Sequence, residues 1–409
     1  MMDKRIVVAP HILLPKKGTD MNAYAVIACD QFTSQVEYWN DLKEMIGDKL
    51  STFHMIYPEA YLDNTNQSEY IKKINQNINS YLKDNLLVDM GECFILVERI
   101  TDYGVRRVGL VLSIDLEEYS YERGVPCSIK ASEATIVERI PPRLKIRKDA
   151  PIELPHTLLL FDDKEKTIIE PLYDNRQNLE CVYDFELNKK GGHVRGYLVK
   201  DVQSVIQKFN ELYKKNNNGL MFIVGDGNHS LATAKAHWEN IKKDLSKEER
   251  EHHPARFALV EANNVYDDGI IFEPIHRILM DGDIDTFLLD FKILTENQPA
   301  HNCYTYVNGR GKEVQNTPKN AAETYQIVQK IIDNHLKKDS RMKVDFIHDE
   351  SSVLEIADKN PNSVAIVMPA LGKSDIFEFV AKDMVLPRKS FSMGHASEKR
   401  YYLEAKKIA

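Results

Sequence analysis

The chain has 409 residues, 43% hydrophobic and 28% charged, which is length for two or three domains and the composition of an ordinary globule with a sizeable core. A net charge of −8 without a concentrated basic block argues against nucleic acid as a main partner, although a local basic pocket can still hold a small anion. No apolar run approaches the roughly 18 to 20 residues that span a bilayer, so no membrane partner is expected.

In chain order, Met1-Met2-Asp3-Lys4-Arg5 and the short apolar run ending at Pro15 are too short for a secretory signal, and a cytoplasmic location is expected. The five cysteines are scattered without a Cys-x-x-Cys pair, so reduced thiols are expected rather than a disulfide framework or a thiolate zinc site. Apolar segments at 6–8, 25–28, 93–97 and 108–112 predict strands, and Ile71, Ile74, Ile78 and Leu82 predict a helix over 68–82. The 25–28 strand ends in Cys29-Asp30-Gln31, placing polar groups at a strand's carboxyl end, where ligand sites often form. Asp30 is a candidate general base or metal ligand; the alternative is an N-cap before Tyr38-Trp39, and Cys29 reads as packing.

Ser132-Glu133-Ala134-Thr135 precedes a basic segment, 138–148, in which Pro141 and Pro142 are expected to prevent a plain helix. Arginine forks such as Arg143 recognise phosphate or carboxylate bidentately; the alternative is pairing with surface acids. A strand at 158–161 and a helix at 202–213, marked by Val205, Ile206, Phe209 and Leu212, lead past the polar stretch 216–218 to the richest segment. Phe222-Ile223-Val224-Gly225-Asp226-Gly227-Asn228-His229-Ser230 reads as strand, tight turn and helix start. Gly225 and Gly227 permit unusual dihedrals and close approach of a ligand, and the first helical turn leaves N–H groups free for an anion. Asp226 supplies a carboxylate for Mg²⁺ or a hydroxyl proton, and His229 and Ser230 add side-chain groups; the alternative is a shaping turn with an Asn228 or Ser230 cap. The stretch matches neither the P-loop nor the Gly-x-Gly-x-x-Gly fingerprint.

Residues 242–251 mix charge signs as a solvated helix face does. After a strand at 257–260, Glu273-Pro274-Ile275-His276-Arg277 follows the apolar 270–272 at an expected strand end; a His-Arg pair there can bind an anion, but alternation sends the two side chains to opposite faces. The polar 308–320 is the best boundary candidate, followed by helices at 321–335 and 351–356 and strands at 344–347 and 364–367. Near the end, Arg388, Lys389, Ser390 and His395 offer donors that can close over a polyphosphate or an acidic substrate; the alternative is a surface turn and a charged helix. Strands and helices alternate irregularly, which predicts an α+β fold.

Together these stretches resemble the bacterial family catalogued as domain of unknown function 1015 over nearly the whole chain. The resemblance is carried by Val26-Ile27-Ala28-Cys29-Asp30, Ser132-Glu133-Ala134-Thr135, Pro274-Ile275-His276-Arg277 and Lys389-Ser390. The family's Asp-Gly-His-His-Arg turn is similar to Asp226-Gly227-Asn228-His229-Ser230, with Asn228 for the first His and Ser230 for the Arg. That turn also occurs in free-serine kinases, which make O-phosphoserine from ATP or ADP. The resemblance therefore implies a mixed-sheet ParB/sulfiredoxin-like core with N- and C-terminal elaborations, divided here as 1–307 and a C-terminal α/β lobe, 321–409, that closes over the site.

The expected activity is Mg²⁺-assisted phosphoryl transfer from ATP or ADP to a small hydroxyl compound such as L-serine. Asp30, Asp226 and His229 would be the catalytic residues, with Asp30 or Asp226 the base or Asp226 the metal ligand, and phosphate would be held by Gly225, Gly227, Asn228 and Ser230, with His229 as a further donor. Arg388, Lys389, Ser390 and His395 would add phosphate contacts, and Glu133, Thr135, Arg143, His276 and Arg277 would hold substrate. Lys235, Arg388 or Lys389 are candidates to replace the missing arginine. The runner-up is a regulator that binds a nucleotide or phosphoamino acid without turnover; a scaffold role is disfavoured by polar residues at strand ends.

Overall fold

The computed structural model of the chain describes residues 4–62, 66–216 and 218–409; Met1, Met2, Asp3 and Asn217, named above, lie outside them. The chain forms two compact units. The first comprises Met1–Ala131, Thr135–Ile270 and His395–Ala409, and the second Ser132–Ala134 and Ile271–Gly394. This differs from a division near 308–320, because that segment closes the hairpin Ala300–Val307/Gly311–Thr317 inside the second unit. The residues from His395 onward return to the first unit, where Tyr401–Tyr402 pairs with Val26–Ile27 and Lys406–Lys407 with Ile152–Glu153.

The first unit is built on a ten-stranded mixed sheet. From one edge its order is Glu180–Leu187, Gly192–Val199, Phe94–Ile100, Arg106–Asp115, Phe257–Asn264, Leu158–Phe161, Phe222–Asp226, Ile129–Ala131 and Tyr119–Ser120, with Val7–Val8 beside Arg106–Asp115. Central strands such as Arg106–Asp115 and Phe257–Asn264 are buried almost throughout, as continuous apolar runs demand, whereas the edge strand Glu180–Leu187 is largely exposed. Leu158–Phe161 runs parallel to Phe257–Asn264 but antiparallel to Phe222–Asp226, so Leu158 faces Asp226 across the ladder. One face is covered by Val202–Asn216, through Val205, Phe209 and Leu212, and by Asn228–Ile241, through Leu231, Ala234 and Trp238.

The second unit is a five-stranded antiparallel sheet in the order Gly311–Thr317, Ala300–Val307, Ser363–Val367, His276–Met280, Lys343–Ile347. Val353 and Ala357 of the helix Glu350–Lys359 pack with Ile278, Ala365 and Val367 on one face. The α+β, mixed-sheet character expected from the sequence is the architecture of the chain. Two local expectations fail. Residues 140–147 are helical despite Pro141 and Pro142, which stand in the first turn, where a proline's missing N–H has no partner to lose. His276 and Arg277 begin a strand, rather than follow one, because Glu273–Pro274 and His276–Met280 are the paired segments and 270–272 is not.

Candidate functional site

Gly227 carries the turn. It has φ of +82°, in the left-handed region, and caps the helix Asn228–Ile241, where no side chain takes a capping hydrogen bond. A Cβ on Gly227 would lie 2.9 Å from the Thr157 Cα, so both conformation and space demand glycine. Gly225, expected to share that freedom, lies within the strand Phe222–Asp226 and has no positive φ. The first intrahelical bond runs from Leu231 N–H to the Gly227 carbonyl, which leaves the amides of 228–230 pointing out of the helix start.

Asp226 ends the strand. Its Oδ1 accepts the Gly227 N–H at 2.9 Å, and its Oδ2 lies 3.2 Å from Lys399 Nζ. The antiparallel neighbour brings His156, two residues before the Leu158 that faces Asp226, into the same region. His156 Nε2 is 3.5 Å from Asp30 Oδ2, and its Nδ1 is 2.8 Å from the Tyr402 hydroxyl, which donates to Cys29 Sγ at 3.1 Å. Asp30 is no N-cap; Gln35 precedes the helix Val36–Ile46.

Burial opposes the charge on both partners of the Asp30–His156 pair, and each restores the other's. For Asp30, burial pushes the carboxyl up, but His156, the Gln31 amide and Lys399 outweigh it and hold it well below the ordinary range. For His156, burial pulls the imidazole down, and Asp30, Asp226 and Glu59 bring it above its ordinary value. His229 goes the other way: burial, with Arg139 and Arg143, lowers it to about 4, and its neutral Nε2 accepts the Ile136 N–H at 3.2 Å. His229 is therefore neither a free base nor a cationic clamp at neutral pH.

A cavity of about 150 Å³ adjoins this cluster, and its lining includes Cys29, Glu59, Arg143, His156, Ser230 and Tyr402. Arg143 is hydrogen-bonded to Glu59 there. The rest of the cavity's lining is largely apolar, with Met55, Ile56, Leu62, Ile74, Ile78 and Ile152. Two of the sequence-predicted groups, Thr135 Oγ1 and Asn228 Oδ1, are buried without a hydrogen-bond partner. Among the described residues no group of three or more His, Cys, Asp or Glu can hold a metal ion. Both oxygens of Asp226 already meet donors, and Asp226 belongs to no such group.

The remaining predicted residues separate. His395 is in the first unit, exposed, with its ring tilted 35° against that of Tyr103 and centroids 4.6 Å apart. Glu133, His276, Arg277, Arg388, Lys389 and Ser390 are in the second. There His276 Nδ1 accepts the Met368 N–H at 3.1 Å, the Ser390 hydroxyl donates to the Pro387 carbonyl at 2.7 Å, and Glu133 accepts the Ser390 N–H at 3.1 Å. Lys235, a candidate for the missing arginine, is occupied by the Leu116 carbonyl and Glu239. Sequence reasoning missed His156, Lys399 and Tyr402 as site residues. Pro155-His156-Thr157, a polar group at the start of an apolar strand, was the available signal for the first.

The family described as protein of unknown function (DUF1015) matches residues 13–369, and the chain belongs to it. No curated protein matches the sequence. Among solved structures, a conserved hypothetical protein from Pyrococcus furiosus is similar over 72% of this chain and 90% of its own, at 11% identity and a TM-score of 0.34. A free serine kinase in complex with AMP is similar over 73% of this chain and 91% of its own, at 10% identity and a TM-score of 0.37. SbnI with a C-terminal truncation, from Staphylococcus aureus, is similar over 72% of this chain and 82% of its own, at 10% identity and a TM-score of 0.37. Among the described residues no helix is long and apolar enough to cross a membrane.

Proposed function

We propose that the chain is a nucleotide-dependent phosphotransferase acting on a small hydroxyl compound, with free L-serine, giving O-phosphoserine, as the first acceptor to test. The observation that carries this reading is the convergence of Asp30–His156 and Asp226–Lys399 beside an uncapped helix start and a cavity whose largely apolar lining includes Glu59, Arg143 and Ser230. Amides of 228–230 and the Lys399 ammonium would take the phosphate of ATP or ADP, and the cavity would take the acceptor. The acceptor oxygen forms the new P–O bond as the bond to the leaving nucleotide breaks, and the hydroxyl proton passes to a carboxylate. Asp30, ionised at any neutral pH, is a weak base and works by orienting the hydroxyl; phosphoryl transfer rests mainly on positioning and charge neutralisation, so that suffices. Lys399 takes the place of the family's arginine, and Mg²⁺ would arrive on the nucleotide phosphates rather than on a set of protein ligands.

Incubation with Mg²⁺, L-serine and ATP or ADP, followed by phosphorus NMR, tests the proposal. O-phosphoserine supports it, and nucleotide loss without O-phosphoserine keeps the transferase but changes the acceptor or makes it water. Binding of nucleotide without any turnover overturns it in favour of a regulator, the reading that Ser230 in place of the arginine favours.

A further inference from the structure

Phosphoryl transfer in the first unit makes no use of a cluster of cations in the second. Arg277, on the strand His276–Met280, is fully buried at 0% exposure. Its Cζ lies 4.9 Å from the ring centroid of Tyr325, on the helix Ala321–Lys338, and 5.3 Å from that of Phe346, its partner on the neighbouring strand. Nη1 donates to the Ile275 carbonyl, whereas Nε and Nη2 have no hydrogen-bond partner. Those two N–H groups form the side-on edge of the guanidinium, the edge that grips an oxyanion with two parallel hydrogen bonds. A buried arginine is ordinarily paired, and an unsatisfied one is costly. The carboxylate whose charge acts on it is Glu133, whose Oε1 accepts the Ser390 N–H.

Two further cations share the same ring. Arg388 Cζ is 6.0 Å from the Phe346 centroid and Lys389 Nζ is 5.1 Å from it. Both are exposed, and among the described residues neither forms an ion pair. Lys389 holds a φ of +56°, a left-handed conformation that a side chain other than glycine rarely adopts. One aromatic quadrupole offsets only part of the mutual repulsion of three cations around it.

We propose that Arg277, Arg388 and Lys389 form an oxyanion site around Phe346 that binds the phosphate of a small phosphorylated compound. Arg277 would supply the fork through Nε and Nη2, and the two exposed cations would close over the remaining oxygens. Phe346, half-buried, is the ring that all three contact. The site stands on second-unit residues alone and does not depend on the kinase reading.

Hydrogen exchange of the full chain, read by mass spectrometry with and without pyrophosphate, locates the ligand. Peptides covering 343–349 and 386–391 should gain saturable protection. The surface double variant Arg388→Ala/Lys389→Ala should weaken the apparent affinity at those peptides at least tenfold, and Arg277→Lys, which keeps the charge but loses the fork, should weaken it as well. Asp226→Asn, which alters the first unit's site, should leave it in place, so the two readings fail separately. Absence of protection, equal protection in the double variant, or the same protection from sodium chloride at matched ionic strength would overturn the site.

Discussion

The two units handle charge in opposite ways. In the first, the buried and half-buried charges around the candidate site meet their opposites: Asp30 with His156, Asp226 with Lys399, and Arg400 with both Glu261 and Glu404, while Arg99 is held by the Gly191 and Ser397 carbonyls. In the second, Arg277, Arg388 and Lys389 gather on one ring with no carboxylate bound to their free donors. Matched pairs poise groups whose protonation and orientation matter to chemistry, while an unmatched cluster holds its partner in reserve for a ligand.

The sharpest way to break that contrast is to delete one buried arginine from each unit. Arg400 is 4% exposed and bridges Glu261 Oε2 at 2.8 Å and Glu404 Oε2 at 2.7 Å. Arg400→Met leaves buried Glu404 without its cation and Glu261 with only Arg107, 3.9 Å away, and should cost about 3–5 kcal/mol in urea unfolding. Arg277→Met removes a cation that no carboxylate holds and should shift stability by no more than about 1 kcal/mol in either direction, because the lost ring contacts offset the relieved desolvation. Equal losses at the two positions would erase the distinction.

Next in size is Gly227→Ala. The left-handed φ and the Thr157 backbone 2.9 Å away should together cost about 2 kcal/mol. Gly225→Ala, at a residue within the strand and without a positive φ, serves as the comparison and should cost less.

A smaller effect follows from the Asp30–His156 pair. His156 is raised in the folded state, so its contribution is complete below the unfolded value of about 6.5 and is lost as pH rises through the folded one. Asp30 is depressed, so its contribution is complete above about 3.9 and is lost as pH falls through its folded value. Both are complete between those limits. The stability of the unsubstituted chain should therefore decline above pH 6.5 by at most about 1.4 kcal/mol per pH unit from this proton, and His156→Gln should flatten that slope. Smallest of all, Lys343→Ala at the exposed Lys343–Asp281 pair should change stability by less than about 0.5 kcal/mol.

The same contrast explains what could be read from the chain. Apolar runs and helical spacing located the strands at 108–112 and 257–260 and the helices at 68–82 and 202–213, because burial imposes those periods locally. Asp226 and Gly227 were legible for the same reason, as a turn is written in adjacent residues. His156 and Lys399 were not, because their place depends on pairings far apart in sequence: Leu158 with Asp226, and the tail's Tyr401 with Ile27. The prolines at 141 and 142 misled because their effect depends on where in a helix they fall. Alternation did separate His276 from Arg277: the former accepts the Met368 N–H, while the latter lies against Tyr325 and Phe346.

The central claim is that Asp30 orients an acceptor while the 226–230 turn and Lys399 hold the nucleotide. The direct test measures ADP binding by calorimetry and O-phosphoserine formation by phosphorus NMR in the unsubstituted chain and in Asp30→Asn. The account predicts that Asp30→Asn keeps the ADP dissociation constant within about threefold and loses turnover by about 100-fold or more. Unchanged turnover, or loss of nucleotide binding together with turnover, would contradict it.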